Sequence, residues 1–183
     1  MKIYRTITTH AVLMLLAAGA FAIPATVKAA QTEDSAEVRQ LLEDSQQEAV
    51  AIKTDSESLE SFTRSKLSWQ TYANKLTSIK EHINNAGTLL AKLKNAEAEG
   101  SEWQQTAIRR IEPLLKEMAD NTTATINHLN DNHNRVHMPE FQDLVKANHA
   151  SAVDQEGLIR DYVDYADAKE EFERLSSELE IGG

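Results

Sequence analysis

Cysteine is missing from all 183 residues. That excludes disulfide stapling and a lipid-bearing cysteine at a processing site, and leaves stability to packing alone. Proline and glycine are scarce, at three and six. Beyond the first 29 residues the prolines are Pro113 and Pro139, and the glycines are Gly87, Gly100, Gly157, Gly182 and Gly183. Such long breaker-free stretches suit helices far better than strands. No segment alternates with a period of two, so strand content is expected to be near nil. Basic residues are outnumbered, with 19 Lys and Arg against 29 Asp and Glu and a formal net charge of -10. An acidic surface argues against nucleic acid and anionic membrane as partners. The chain also has no Gly-x-Ser-x-Gly elbow, no glycine-rich phosphate loop and no Cys-x-x-Cys-His haem motif, so no catalytic residue and no cofactor are assigned.

What is present begins with a basic start, Met1-Lys2-Ile3-Tyr4-Arg5, followed by an apolar and small-residue run from Ala11 to Ile23. This is the pattern of a secretory signal peptide. The run is shorter than the roughly 20 apolar residues a membrane span needs, so no stable membrane anchor is expected. Val27 and Ala29 supply small residues where a signal peptidase reads, placing cleavage before Ala30, with cleavage after Ala22 as the alternative. Residues 1–29 hold Lys2, Arg5 and Lys28 and no acid, so removing them takes the charge from -10 to -13. The expected location is periplasmic or secreted.

Helix boundaries follow from cap chemistry. At Asn95–Gln104 a glycine precedes Ser101, and Ser101 with Gln104 has capping-box spacing, so one helix ends and an antiparallel one begins with almost no loop. At Asn130–Pro139 polar turn formers precede a proline suited to a first helical position. At Lys53–Glu57, Thr54 and Glu57 have capping-box spacing too, although a helix could continue through them. These signals predict helices near 33–53, 57–98, 102–133 and 139–180. The longest would reach about 60 Å at 1.5 Å per residue. The domain reading is therefore a signal peptide over 1–29, an N-terminal helix or helical extension over 30–56, and an antiparallel helical bundle over 57–183.

Apolar residues fall on helical faces in each segment. Phe62, Trp69, Leu76, Ile83 and Leu90 repeat every seven residues beside a second row of Tyr72, Ile79, Ala86 and Leu93. Ala107, Ile111, Leu114, Met118, Thr125 and Leu129 step by three and four, as do Phe141, Leu144, Val145, Leu158, Ile159, Tyr162, Phe172, Leu175 and Leu179. Spacing by sevens implies coiled-coil-like packing. The fold class predicted is all-α: an elongated antiparallel bundle of three long helices plus an N-terminal helix. Pro113 should bend its helix, because it removes the hydrogen bond to the Arg109 carbonyl.

At Ser61-Phe-Thr-Arg-Ser-Lys-Leu-Ser-Trp-Gln70, at Trp103–Ile108 and at Asn121–Asn130, the chain resembles a group of exported, uncharacterised proteins of acidobacterial type. The resemblance spans roughly residues 57–180. It implies an exported helical protein and supplies no site residues.

Candidate chemistry is thin. His133 and His137 lie four apart, with His128, Met138 and Glu140 nearby, and on a helix they would share one side and could hold a metal or tetrapyrrole. The competing reading is that they are turn and cap residues, because the segment lies where a helix should end. The Glu-x-x-His pairs of di-iron bundles are missing. His82 and His149 read as surface or boundary residues. Asp161, Asp164, Asp167, Glu170 and Glu173 recur every third residue and drift about 60 degrees per step, so they form a solvated face rather than a calcium site. If 102–133 and 139–180 pair antiparallel, the second outlasts the first by about a quarter of its length. Phe172, Leu175 and Leu179 then extend the stripe with no partner, which marks an interaction surface for another protein or for self-association. Val38, Leu41 and Leu42 of the N-terminal helix are its intramolecular competitor. The function expected is that of an exported, non-enzymatic structural, scaffolding or protein-interaction protein; the alternative is a periplasmic metal- or tetrapyrrole-binding bundle.

Overall fold

The computed structural model describes residues 33–65 and 67–179. The expected signal peptide and its cleavage site lie outside the described residues. Four helices account for nearly all of the remainder: α1 (Ala36–Phe62), α2 (Trp69–Ala96), α3 (Glu102–Asp131) and α4 (Pro139–Glu178). Short 3-10 turns at Glu97–Glu99 and His133–Arg135 flank α3. There is no strand among the described residues.

Cross-helix pairs give the topology. Lys75 and Ser78 of α2 bond Asp55 of α1 while His82 reaches Glu48, so partners run in opposite directions. Lys94 with Glu112, and Arg109 with Glu97 just past the end of α2, do the same for α2 and α3. Arg110 with Tyr162 and Thr122 with Asn148 do so for α3 and α4, and Lys53 with Glu156 and Glu60 with His149 close the ring between α4 and α1. The chain is an up-down-up-down four-helix bundle with short connections.

One boundary differs from the sequence expectation. α1 does not stop at Lys53–Glu57; it runs on to Phe62, and the turn to α2 lies at residues 63–68. Thr54 caps nothing, its hydroxyl donating back to the Val50 carbonyl at 2.8 Å inside the helix. Local side-chain bonding of this kind lets Thr and Ser sit within helices as well as at their starts, so the spacing alone is ambiguous. The N-terminal helix is consequently a full member of the bundle rather than an extension, and Phe62 ends α1 instead of opening the row of Trp69, Leu76, Ile83 and Leu90. Tyr72 fixes the turn: fully buried, it donates its hydroxyl to the Phe62 carbonyl at 2.8 Å and meets the Phe62 ring edge-on.

The other ends match their signals. Ser101 N–H donates to Gln104 Oε1 at 3.0 Å in the expected capping box, and Pro139 occupies the first turn of α4. Gln104 does more than cap: it accepts from Ser35 N–H at 2.8 Å and returns a bond to the Ser35 carbonyl at 2.9 Å, tying the starts of α1 and α3 together. Gly100 is favoured by lack of room rather than by backbone freedom. Its φ of -79° is ordinary, but an added Cβ would lie 3.2 Å from Gln104 Cβ.

The core falls in two stretches. Leu59, Tyr72, Leu76, Met118, Leu129, Phe141 and Val145 fill one end. Val38, Leu42, Leu93, Ile108, Ile111 and Ile159 fill the other.

Candidate interaction surface

The position of α4 within the bundle sets which of its faces are free. Its core residues Phe141, Val145, Ala152, Ile159, Val163 and Ala166 are buried, and at 3.6 residues per turn they fall within an arc of about 60 degrees. Continuing that face beyond Ala166 by helical steps reaches Glu170, Glu173 and Ser177. Phe172, Leu175 and Leu179 fall about 180 degrees away, on the outward side. They are 70%, 40% and 61% exposed. The expected interaction residues are therefore unpartnered, but not because the core stripe outruns α3: they form a separate apolar patch on the back of the helix. Taken as a single series, the apolar residues pass through Leu158 and Tyr162, which lie between the two faces. Val38, Leu41 and Leu42 are buried in the core and face the opposite side of α4.

The end of α4 is held in place by its inward and lateral faces. Arg39 binds Asp167 at 2.8 Å and also pairs with Glu170. Lys169 donates to Asp34 at 2.6 Å, and Trp103 Nε1 donates to the other Asp34 oxygen at 2.8 Å. Burial pushes the Asp34 carboxyl up, but hydrogen bonds from Lys169, Ser101 and Trp103 outweigh it and hold the group below its ordinary value. Trp103 lies nearly parallel to Tyr162 and edge-on to Tyr165, so it packs the start of α3 against α4. Past Glu170 the helix runs on for two turns and carries the patch.

The histidines are placed as follows. α3 ends at Asp131 and α4 begins at Pro139, so His133 sits in a 3-10 turn and His137 in the loop after it, not on one helix. Both are exposed. The His133 ring is stacked on Trp69, with centroids 4.1 Å apart, and the His137 carbonyl accepts from Gln142. The helical one-side geometry that would bring the two imidazoles to one ion does not apply. His82 and His149 are half-buried partners of Glu48 and Glu60 on α1.

α3 and α4 are also joined by a polar seam that carries no signature in the sequence. Thr122 Oγ1 donates to Asn148 Oδ1 at 2.9 Å, Asn148 Nδ2 donates to Thr125 Oγ1 at 3.1 Å, and Asn121 Nδ2 donates to Ser151 Oγ at 2.7 Å. Asn148, Thr122 and Thr125 are buried, so their polar groups are consumed in joining helices. Nearer the Gly100 end, the same two helices part into an open groove of about 620 Å³ lined by Arg109, Pro113, Val153, Asp154, Gly157 and Asp161. Its exposed wall on α4 adjoins the outward face.

Among the described residues no helix is long and apolar enough to cross a membrane. No known protein family, no curated protein and no solved structure matches this chain.

Proposed function

We propose that the protein is an exported, non-enzymatic bundle with a structural or scaffolding role, and that it makes contact with another protein through the free end of α4. The observation that carries this reading is the exposure of Phe172, Leu175 and Leu179 together on one side of one helix. Leaving them in water forgoes roughly 1.5–3 kcal/mol for each side chain that a contact could fully bury. Export is supported by the basic start and the apolar run from Ala11 to Ile23. The non-enzymatic reading is supported by the polar seam, whose Asn, Thr and Ser groups bond one another across α3 and α4.

Photo-cross-linking in cells tests the contact. A photoreactive residue at position 172, 175 or 179 should yield one discrete adduct, and one at exposed Asn84 on α2 should yield none. Equal labelling at all four positions, or none at any, overturns the proposal.

A further inference from the structure

The apolar patch continues a longer strip. On the same outward side of α4, Asp154, Asp161, Ala168 and Leu175 follow one another every seven residues, with Ala150, Gly157 and Asp164 as a companion row. At 100 degrees per residue these two rows share an arc of about 80 degrees with Phe172 and Leu179. All are exposed except Gly157, which is half-buried. The strip is therefore small and acidic over about five turns and apolar over the last two. Seven-residue spacing keeps these positions on one side of the helix, where a second helix lying alongside could meet all of them.

Charge says what kind of helix. α4 carries eleven Asp and Glu against four Lys and Arg, a net of -7 in a chain whose total is -10. Asp161 is held only loosely by its neighbour Arg160, at 3.4 Å. Neither Asp154 nor Asp164 pairs with a basic side chain among the described residues. Two copies joined along this strip would bring like charges together, whereas a lysine- or arginine-bearing helix would meet complementary ones. At Asp154 and Asp161 the strip borders the groove beside Pro113. There Pro113 also deprives the Arg109 carbonyl of its usual helical donor.

Gly157 fits the same picture. Mid-helix glycine is unfavourable relative to alanine, yet an added Cβ would meet nothing nearer than Arg160 Nη2 at 3.8 Å. The bundle itself does not require glycine there; a close neighbour on the outside would.

We infer that the outward face of α4 is a docking surface for one basic amphipathic helix of a partner protein, with apolar anchors on Phe172, Leu175 and Leu179 and cations opposite Asp154, Asp161 and Asp164. This rests on the contact reading above and adds the partner's chemistry to it.

The probe is a synthetic 21-residue helical peptide with leucine at seam positions and lysine beside them, titrated against the purified chain, with a glutamate-for-lysine peptide as comparison. The lysine peptide should bind at least tenfold more tightly. Phe172→Gln with Leu175→Gln and Leu179→Gln should weaken it at least tenfold and keep its salt dependence. Asp154→Asn with Asp161→Asn and Asp164→Asn should weaken it as much and flatten the salt dependence. Gly157→Leu, which alters no charge, should weaken it at least fivefold while helix content is unchanged. Glu57→Gln with Glu81→Gln and Glu99→Gln removes as much charge elsewhere and should change binding less than twofold. The inference is overturned if both peptides bind alike, if neither binds, or if the control triple weakens binding as much as the aspartate triple. Sedimentation showing a stable dimer through the 172–179 patch would overturn the basic partner and leave the contact reading standing. Only loss of the photo-adducts removes the latter.

Discussion

Thr122 donates its hydroxyl to Asn148 Oδ1 across the α3–α4 seam at 2.9 Å, and both residues are fully inside the bundle. A buried asparagine at a seam position is costly unless bonded, and here it both accepts and donates. Asn148→Ala strands the Thr122 hydroxyl and should lower stability by about 1–3 kcal/mol in urea melts. The pair Thr122→Val with Asn148→Leu leaves no orphan between those two residues and should cost less than the single change. A single substitution milder than the pair would mean the bond contributes nothing.

Asp55 makes stability depend on acid. Burial raises its carboxyl, but Lys75 and Ser78 hydrogen bonds and the charges of Lys75 and His82 prevail and hold it below the ordinary 3.8. A folded value below the unfolded one means its contribution is complete above 3.8 and disappears as pH falls below it. Asp55→Asn should therefore lower the urea midpoint at neutral pH, and the wild-type and variant midpoints should converge in acid. Parallel curves would remove the ion pair from the account.

The α1–α2 boundary is open to insertion mapping. Two glycines placed after Arg64 lengthen an existing turn and should cost about 1 kcal/mol or less. After Thr54 they rotate the rest of α1 by about 200 degrees, turning buried Ser56 and Leu59 outward. Circular dichroism with urea melts should show that second insertion losing more than about 3 kcal/mol. Equal tolerance at the two sites would return the boundary to residues 53–57.

Much of this fold was legible because helical periodicity and caps are local. Ser101 with Gln104, Pro139, and the Tyr72, Ile79, Ala86 and Leu93 row all took their predicted places. The residue 63–68 turn was hidden because it contains neither glycine nor proline, and its anchor is Tyr72, ten residues from the Phe62 carbonyl it binds. The Thr122–Asn148 seam was hidden for a related reason: threonine and asparagine can sit inside or outside a helix, and only the partner helix decides. The side of α4 taken by Phe172 is fixed by the three- and four-residue steps through Val163 and Ala166. Treating all apolar residues as one series blurred that.

His133 and Trp69 give a local readout of the α3–α4 turn. His133→Ala removes the ring stacked on the indole, so tryptophan emission should change, while stability changes by about 1 kcal/mol or less at this exposed site. His137→Ala should leave the emission alone. Loss of a stoichiometric ion or chromophore in the double variant would favour the carrier alternative.

Phe172, Leu175 and Leu179 face away from the protein's own core. Urea denaturation of the isolated chain carrying all three as glutamine tests this placement most directly, since glutamine keeps helix propensity and adds no charge. A loss of about 1 kcal/mol or less is expected, against the roughly 2–5 kcal/mol expected for Leu76→Ala in the seam. A loss for the triple variant as large as that for Leu76→Ala would place the patch in the protein's own core and contradict the account.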